Sequence, residues 1–355
     1  MNTIIHKIVQ RIDSIYKHHV VKEQYPMLTS LSRHQLNKEG ALGVVFMLHH
    51  ISNKDKTRIP TNEDLKISPG FLEKIILKYK SIGFQFISLD ELSLMIAQKQ
   101  YPEHPFIAFT IDDGYLDNYT HAYPIFKRHN VPFTIFVATD FIDRKAILWW
   151  DAIEDMILRN DSITTSDGIT YPCETFQQRW DTFRLLREKI LCFNQENLFE
   201  QLNQLFSDDS IDWYGPVKKQ AMTWEQINMI SQDSLCTIGG HTVSHPALNH
   251  VSENRFNDEI SGCITKLKSV THYDIHHFAF PYGSKNEIGN REINLISNYH
   301  FKTVFMANGG CITKTTYIEV INYLESIYKN ISYYEQEGIR SFDSWRRHLW
   351  CNSRL

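Results

Sequence analysis

Seven short apolar runs, separated by amphipathic stretches, constrain the fold more than any other feature of this sequence. Runs of this length bounded by turn residues are typical of buried strands, and most of the intervening stretches space their apolar residues as helices do. The predicted strands are Val44 to Leu48, Phe84 to Ile87, Phe106 to Ile111, Phe133 to Val137, Leu235 to Ile238, His277 to Phe280 and Lys302 to Phe305. The predicted helices are Pro69 to Ser81, Leu89 to Gln98, Tyr119 to His129, Glu253 to Val270 and Glu287 to Asn298. This alternation predicts an α/β protein with parallel strands.

Polar residues suited to catalysis and metal binding follow several of these strands. Successive strand-helix units close into a barrel or an open sheet, and both architectures place functional groups at the carboxyl ends of the strands. The residues in question are His49 and His50 after the first strand, Asp112 and Asp113 after the third, His241 after the fifth, and Pro281 to Gly283 after the sixth. Carboxylates and neutral imidazoles suit zinc or another first-row metal, so their convergence predicts a metal site.

Each motif also has a purely structural interpretation. Asp112-Asp113-Gly114 favours a turn on backbone grounds alone. The spacing of His241 and His245 also fits two exposed or cap-forming histidines, and His49 and His50 could complete hydrogen bonds at a strand end. The combination of the motifs, and their position after successive strands, favours the metal site.

Three segments of the chain resemble the polysaccharide deacetylases of the NodB-homology type, also called carbohydrate esterase family 4. Residues Thr110 to Gly114 read Thr-Ile-Asp-Asp-Gly, similar to the family's Thr-Phe-Asp-Asp-Gly motif. Residues His241 to His245 match its His-Thr-x-Ser-His motif completely, and Pro281 to Gly283 match the end of its third motif. The resemblance runs from about Val44 to Phe305.

The resemblance implies a role for each residue of the first two motifs. Asp112 is expected to act as the general base. Asp113, His241 and His245 are expected to bind a divalent metal ion. Ligand type makes Zn²⁺ the first choice, with Co²⁺, Ni²⁺ and Mn²⁺ as alternatives.

Residues of the substrate groove follow from the same resemblance. The backbone N–H of Tyr282 is expected to stabilise the oxyanion, and Pro281 is expected to line the groove. His49 and His50 stand where many of these deacetylases have a Tyr-His-Arg segment and are expected to face the groove. Trp150 could stack on a sugar ring, although two tryptophans at a helix start more often anchor packing.

The fold that the resemblance implies is a distorted (β/α)7-type barrel. We assign it to residues 41–311, with a helical insertion at about 142–222 that the minimal barrel does not need. Residues 1–40 are predicted to be an N-terminal helical segment. Residues 312–355 are predicted to be a helical C-terminal tail with an amphipathic stretch from Tyr317 to Ile331.

The sequence departs from the family pattern at two places. Ala279 stands where the family has an arginine, which leaves the orientation of Asp112 to other residues. The Leu-x-His motif with which the family supplies a general acid does not follow the last predicted strand, and the family's Asp-x-x-Asp-Trp segment is not found downstream of the third motif. The acid could instead be His49 or His50, or Asp112 could return its proton through water; alternatively, the protein binds glycan without hydrolysing it.

These observations predict a metal-dependent carbohydrate N-deacetylase. Its substrate would be an N-acylated amino sugar, with acetyl as the first choice of acyl group. The sugar would belong to a glycan or to a lipid- or nucleotide-linked glycan precursor. Two alternatives stay open: a catalytically weak or inactive glycan-binding or assembly protein that retains the metal site, and a hydrolase of non-sugar amides.

Composition excludes other classes of protein and partner. A formal net charge of −4 and the lack of a basic block argue against nucleic acid as a partner. The six cysteines form no Cys-x-x-Cys pair, and no stretch approaches the roughly 20 apolar residues of a membrane span. We expect a cytoplasmic protein. Residues 2–18 form an amphipathic pattern that predicts a packed helix, with peripheral membrane contact as the alternative.

Overall fold

The structure, a computed structural model, describes residues 41–98, 100–206, 210–307, 312–313, 326–328, 333–334 and 339–340. Its strands are β1 (Ala41–Leu48), β2 (His50–Ile51), β3 (Lys66–Ile67), β4 (Gln85–Phe86), β5 (Phe106–Asp113), β6 (Phe133–Val137), β7 (Ser162–Thr164), β8 (Thr170–Pro172), β9 (Cys236–Gly240), β10 (His277–Ala279), β11 (Thr303–Met306), β12 (Ile312–Thr313), β13 (Ser326–Tyr328), β14 (Tyr333–Tyr334) and β15 (Ile339–Arg340). Within the described residues, nine strands form one sheet in the order β12-β1-β5-β6-β9-β10-β11-β13, with β4 beside the start of β5. Adjacent strands of this sheet pair in parallel, except that β1 and β12 are antiparallel.

Helices fill most of the connections between the strands. They are α1 (Pro60–Glu63), α2 (Pro69–Ser81), α3 (Leu89–Ala97), α4 (Tyr123–His129, preceded by a π-helical turn at Asn118–Ala122), α5 (Thr139–Ile142), α6 (Trp149–Arg159), α7 (Phe176–Leu191), α8 (Leu198–Leu205), α9 (Gly215–Gln220), α10 (Trp224–Ser231), α11 (Glu253–Thr271) and α12 (Asn290–Ile296), with short 3-10 turns at Gln195–Asn197, Leu248–His250 and Ser297–Tyr299. Every predicted strand is present, and each of the five helices predicted between the strands overlaps an observed one. β5 is buried along its whole length, as is typical of a strand within a parallel sheet.

The sheet is strongly curled, as contacts across its concave face show. Phe136 on β6 and Phe305 on β11 are three strand spacings apart, about 14 Å in a flat sheet. Their ring centroids are nevertheless 5.6 Å apart. Gly239 on β9 makes room for this contact, because a Cβ there would lie 2.6 Å from the Phe136 ring. Side chains of α3, among them Leu92, complete the cluster on the concave face.

A second set of apolar side chains lies between the sheet and the flanking helices. It joins alternate residues of the strands to the buried faces of α2, α4, α10 and α11, including Phe109, Phe126, Ile227 and Phe256. The parallel strands therefore have apolar side chains on both faces, which explains why their sequences are nearly continuous apolar runs.

Between β6 and β9 the chain builds a largely helical region with its own apolar cluster. Helices α6, α7 and α8 contribute to a core that contains Trp149, Phe183 and Leu186. The structure adds a β7–β8 hairpin that the sequence interpretation missed. Its turn contains Gly168 with φ of +79°, so the Asp-Gly pair at this position was an available signal.

Buried polar contacts fix the loop after β1 to this helical region. Glu154 on α6 is fully buried and accepts hydrogen bonds from the Ile59 N–H at 2.5 Å and from Asn62 Nδ2 at 2.8 Å. Arg58 donates to the same carboxylate at 2.8 Å. These partners satisfy a buried charge that would otherwise be costly.

The predictions for the two ends of the chain concern mostly residues outside the described ranges. Residues 1–40, including the amphipathic stretch 2–18, lie outside the described residues. In the predicted helical tail, the described residues form β12 to β15, so they are strands where helix was expected. The rest of the tail lies outside the described residues. In the part of the chain that the structure describes, no helix is long and apolar enough to cross a membrane.

Candidate metal centre

The first two motifs meet at the carboxyl ends of β5 and β9, on either side of β6. Val137, the last residue of β6, pairs with Asp113 on one side and with Gly240 on the other. His241 follows Gly240 directly, so the two strand ends deliver a carboxylate and an imidazole to the same place. Asp113 Oδ1 lies 3.3 Å from His241 Nε2 and 3.3 Å from His245 Nε2.

The chemistry of these three side chains fits a bound cation. One potential ligand atom from each lies within 4.8 Å of the others. Asp113 Oδ1 is buried and has no hydrogen-bond partner among the described residues. The Nδ1 atom of His241 lies 2.7 Å from the carbonyl oxygen of Ala279, which suits a donated hydrogen bond that leaves Nε2 free to bind a metal. Three ligands of this type leave a coordination position for water.

Charge and burial favour the protonation states that a metal site requires. Burial lowers the pKa of His245 to about 4, so this imidazole is neutral at physiological pH. Burial acts to raise the pKa of Asp113, but the neighbouring His241 and His245 outweigh it and hold this pKa below its ordinary value. A neutral imidazole and an ionised carboxylate are the forms that bind divalent metals.

Left-handed backbone conformations are concentrated in the three motifs. In the described part of the chain, eight non-glycine residues have positive φ, and four of them are Asp113 (+79°), Thr242 (+69°), His245 (+60°) and Tyr282 (+58°). Three of the other four end helices, where this conformation is common. Such strain at a cluster of polar residues is typical of functional sites.

Glu259 on α11 holds the loop that carries the two histidines. Its Oε2 accepts from the N–H groups of Val243 and Ser244, both at 2.8 Å, and its Oε1 accepts from the Ser244 hydroxyl at 2.5 Å. The N–H groups of Thr139 and Asp140 at the start of α5 donate to the carbonyl groups of Thr242 and Val243. The sequence interpretation missed Glu259, although an acidic residue on the apolar face of α11, beside Ile260, was an available signal.

The third motif forms a tight turn beside the histidines. The Phe280 N–H donates to Phe305 at 3.1 Å and the Gly283 N–H to Pro281 at 2.5 Å. No hydrogen bond from the Tyr282 N–H is found among the described residues. The Tyr282 ring packs edge-on against His245, with centroids 4.8 Å apart, and its hydroxyl accepts from Trp149 Nε1 at 3.2 Å.

The remaining predicted residues surround this centre. Asp112 is buried beside Asp113, and its charge acts on His245. Trp150 is half-buried and packs edge-on against His245 at 5.5 Å, whereas Trp149 is buried in the neighbouring core. Pro281 is buried in its turn.

His49 and His50 point to different surroundings. The charge of His49 acts on Asp113 and His245. His50 packs on the ring of Tyr115, with centroids 3.6 Å apart, and its Nδ1 lies 2.8 Å from Asp117 Oδ2. The pairing with Asp117 was not predicted.

Comparison with known proteins points to one family. Residues 99–304, more than half of the chain, match the family model described as polysaccharide deacetylase. YxkH from Bacillus subtilis strain 168, whose name places it among the polysaccharide deacetylases, is 31% identical over 119 residues. That alignment spans 34% of this chain and 40% of YxkH, so the chain matches less than half the length of this relative.

Solved structures share the fold at low sequence identity. The deacetylase PplD from Streptococcus pyogenes, in complex with acetate, has a TM-score of 0.51 at 16% identity, covering 81% of this chain and 90% of that one. A polysaccharide deacetylase from Bacillus cereus has a TM-score of 0.52 at 14% identity, and the match covers 85% of this chain and 68% of that one. A de-N-acetylase from Aggregatibacter actinomycetemcomitans has a TM-score of 0.50 at 15% identity, and the match covers 85% of this chain and 99% of that one. The predicted α/β fold, a distorted and curled parallel barrel, is confirmed.

Proposed function

The chain belongs to the polysaccharide deacetylase family, and from this premise we propose that it is a metal-dependent hydrolase of N-acylated amino sugars. The first candidate for the acyl group is acetyl. The substrate would be a glycan or a glycan precursor. One observation carries the proposal. The ligand atoms of Asp113, His241 and His245 converge beside a second buried carboxylate, Asp112. A metal site beside a general base can hydrolyse an amide, because the metal activates water and polarises the carbonyl while the base takes the proton.

A divalent cation held by the three ligands would lower the pKa of a water molecule and polarise the acyl carbonyl. Asp112 would take a proton from the attacking water. The Tyr282 N–H would donate to the oxygen that gains negative charge on the acyl group. The products would be a carboxylic acid and an amine. One carboxylate and two imidazoles suit zinc, with cobalt, nickel and manganese as alternatives.

One aromatic side chain at the candidate metal centre is suited to a sugar substrate. The half-buried Trp150 beside His245 supplies an aromatic surface for a sugar ring. A cytoplasmic location, which stays a prediction, would favour a lipid- or nucleotide-linked precursor over finished polymer. Peripheral membrane contact through residues 2–18 would favour the lipid-linked form.

A specific sequence feature supports one alternative function. No Leu-x-His motif follows the last strand, where the family supplies a general acid, and the loss of a general acid typically costs about 100-fold or more in rate. A glycan-binding or assembly protein with a retained metal site would need no such acid.

Acetate release from N-acetylated oligosaccharides and from lipid- and nucleotide-linked sugars tests the proposal. Wild-type protein loaded with zinc is compared with Asp112→Asn and His241→Ala, and metal content is measured for each. His129→Ala serves as a control, because His129 bonds to Glu73 at 2.8 Å, before β6 and away from the motifs. We expect both site variants to abolish release and only His241→Ala to lose metal. A wild type that holds stoichiometric zinc and releases nothing would favour the binding alternative.

A further inference from the structure

The proposed function leaves one chemical requirement unassigned, and the inference below rests on that function. When the C–N bond of the amide breaks, the nitrogen needs a proton to leave as an amine. The family supplies this acid after the last strand, but β11 is followed here by Met306-Ala307-Asn308, and the one later histidine of the sequence, His348, is in no Leu-x-His motif. A donor must therefore come from another part of the site.

His50 and Asp117 form a carboxylate-imidazole pair beside the candidate metal centre. His50 Nδ1 lies 2.8 Å from Asp117 Oδ2, and both side chains are half-buried at 13% and 15% exposure. A carboxylate on one ring nitrogen fixes the tautomer and leaves the other nitrogen for proton transfer. Among the described residues, no hydrogen bond to His50 Nε2 is found.

The backbone around this pair is held in place by a neighbouring turn. Asn118 Nδ2 donates to the His49 carbonyl at 2.7 Å and to Asp117 Oδ1 at 3.0 Å. His121 Nδ1 lies 2.8 Å from the Ile51 carbonyl oxygen. The π-helical turn thus holds the backbone on both sides of His50 and the side chain of Asp117. These contacts fix the geometry of the pair before substrate binds.

His50 lies close to the carboxyl end of β1. Leu48, the last residue of β1, pairs with Ile111 on β5, two residues before Asp113. His50 itself begins β2, which pairs with β3, and a ring contact ties it to the segment that follows Asp113. Tyr115, two residues after Asp113, packs its ring on His50 at 3.6 Å.

A second carboxyl group, that of Asp151 on α6, interacts electrostatically with His50. Asp151 follows Trp150, whose ring packs against His245, and accepts from Gln220 Nε2 at 3.0 Å. Burial raises the pKa of Asp151 to about 6, against the opposing charge of His50. The other charged groups that act on Asp151 are Glu154 and Arg58. Asp151 is thus a carboxyl group near His50 that can exchange a proton close to neutral pH.

We propose that His50, oriented by Asp117 and faced by Asp151, donates the proton to the leaving amine. As the C–N bond breaks, its electron pair goes to nitrogen, and nitrogen takes the proton from His50 Nε2. His50 becomes neutral while Asp112 carries the proton taken from water. Return of that proton through solvent or Asp151 restores both groups. Asp117 and Asp151 are positioning residues, because they act through His50.

Leaving-group dependence tests this assignment. An aryl acetate such as 4-nitrophenyl acetate expels a stable phenolate without protonation, whereas an N-acetylated amino sugar requires the proton. We expect His50→Gln to lower deacetylation of N-acetylated chitooligosaccharides about 100-fold and hydrolysis of the aryl ester less than threefold. Asp117→Asn should show the same selectivity to a smaller degree. His129→Gln, at the His129–Glu73 pair away from the three motifs, should change neither rate.

Two failures can be told apart. An active wild type in which His50→Gln loses both rates equally, or neither, would overturn the role of His50 and leave the proposed function standing. A zinc-loaded wild type that cleaves no amide would overturn the proposed function, and the donor with it. Zinc content is measured for every variant, since a loss of metal would lower both rates together.

Discussion

Replacing Glu259 with glutamine tests how the loop between the proposed metal ligands His241 and His245 is held. The substitution keeps the shape of the side chain and removes its charge. Glu259 is 1% exposed and accepts hydrogen bonds from two backbone N–H groups, those of Val243 and Ser244. These residues lie between His241 and His245, so any shift of this loop moves the ligands. We expect Glu259→Gln to weaken zinc binding.

The magnitude follows from the two backbone hydrogen bonds. Hydrogen bonds to charged groups contribute about 1.5–3 kcal/mol each, against about 0.5–1.5 kcal/mol for neutral pairs. Neutralising Glu259 therefore weakens each bond by about 1 kcal/mol, or about 2 kcal/mol together. If this loss falls on the metal-bound loop, the zinc dissociation constant rises roughly thirtyfold. Changes in residues that support metal ligands typically cost 10–100-fold.

Zinc competition against a chelator measures this effect, and the chain supplies a matched control. Glu292 is 3% exposed and accepts from the Gly289 N–H at 2.8 Å and from Arg291 at 2.9 Å. Glu292 lies on α12, and neither of these hydrogen bonds involves a residue of the three motifs. Glu292→Gln should lower thermal stability without changing zinc affinity. Equal zinc affinities for wild type and Glu259→Gln would refute the reasoning.

Three further predictions concern stability. Burial, followed by the charge of Glu259, raises the pKa of Asp140 to about 6 from its unfolded value of 3.8. The ionised carboxylate therefore weakens the fold as pH rises through this range, and Asp140→Asn should stabilise by roughly 1 kcal/mol at pH 8 but not at pH 4. An equal gain at both pH values in denaturant titrations would contradict this. Gly239→Ala should cost about 2 kcal/mol, because its Cβ would lie 2.6 Å from the Phe136 ring and 2.9 Å from the His277 carbonyl oxygen. Gly70→Ala, with nothing within 4 Å of its Cβ, should change stability by less than about 0.5 kcal/mol, and equal losses would show that the close approach does not matter. Zinc at a hundredfold excess over its dissociation constant should stabilise the wild type by about 2.7 kcal/mol and His241→Ala not at all; a melting temperature insensitive to zinc would count against the site.

The parts of the structure that could be predicted from the sequence are those set by local patterns. Strand positions follow from short apolar runs, and the carboxyl ends of parallel strands meet at one edge, which brings Asp113 and His241 together. The supporting partners could not be predicted in the same way. His50 and Asp117 are 67 residues apart in the chain, and their pairing depends on how a turn after β5 packs against the end of β1. The left-handed conformation of Asp113 was equally hidden, because most non-glycine residues avoid it.

Tyr282 bears on the choice between a hydrolase and a protein that only binds glycan. Asp113 and His245 also have left-handed backbones, and for them ligand placement alone would explain the strain. Tyr282 is not a candidate ligand, yet its φ of +58° costs about 1–2 kcal/mol for a residue with a side chain. Its conformation leaves an N–H that donates to no acceptor among the described residues, next to the ring of His245. A glycan-binding protein has no evident use for such a donor, whereas an oxyanion formed during amide hydrolysis requires one, and this supports the hydrolase.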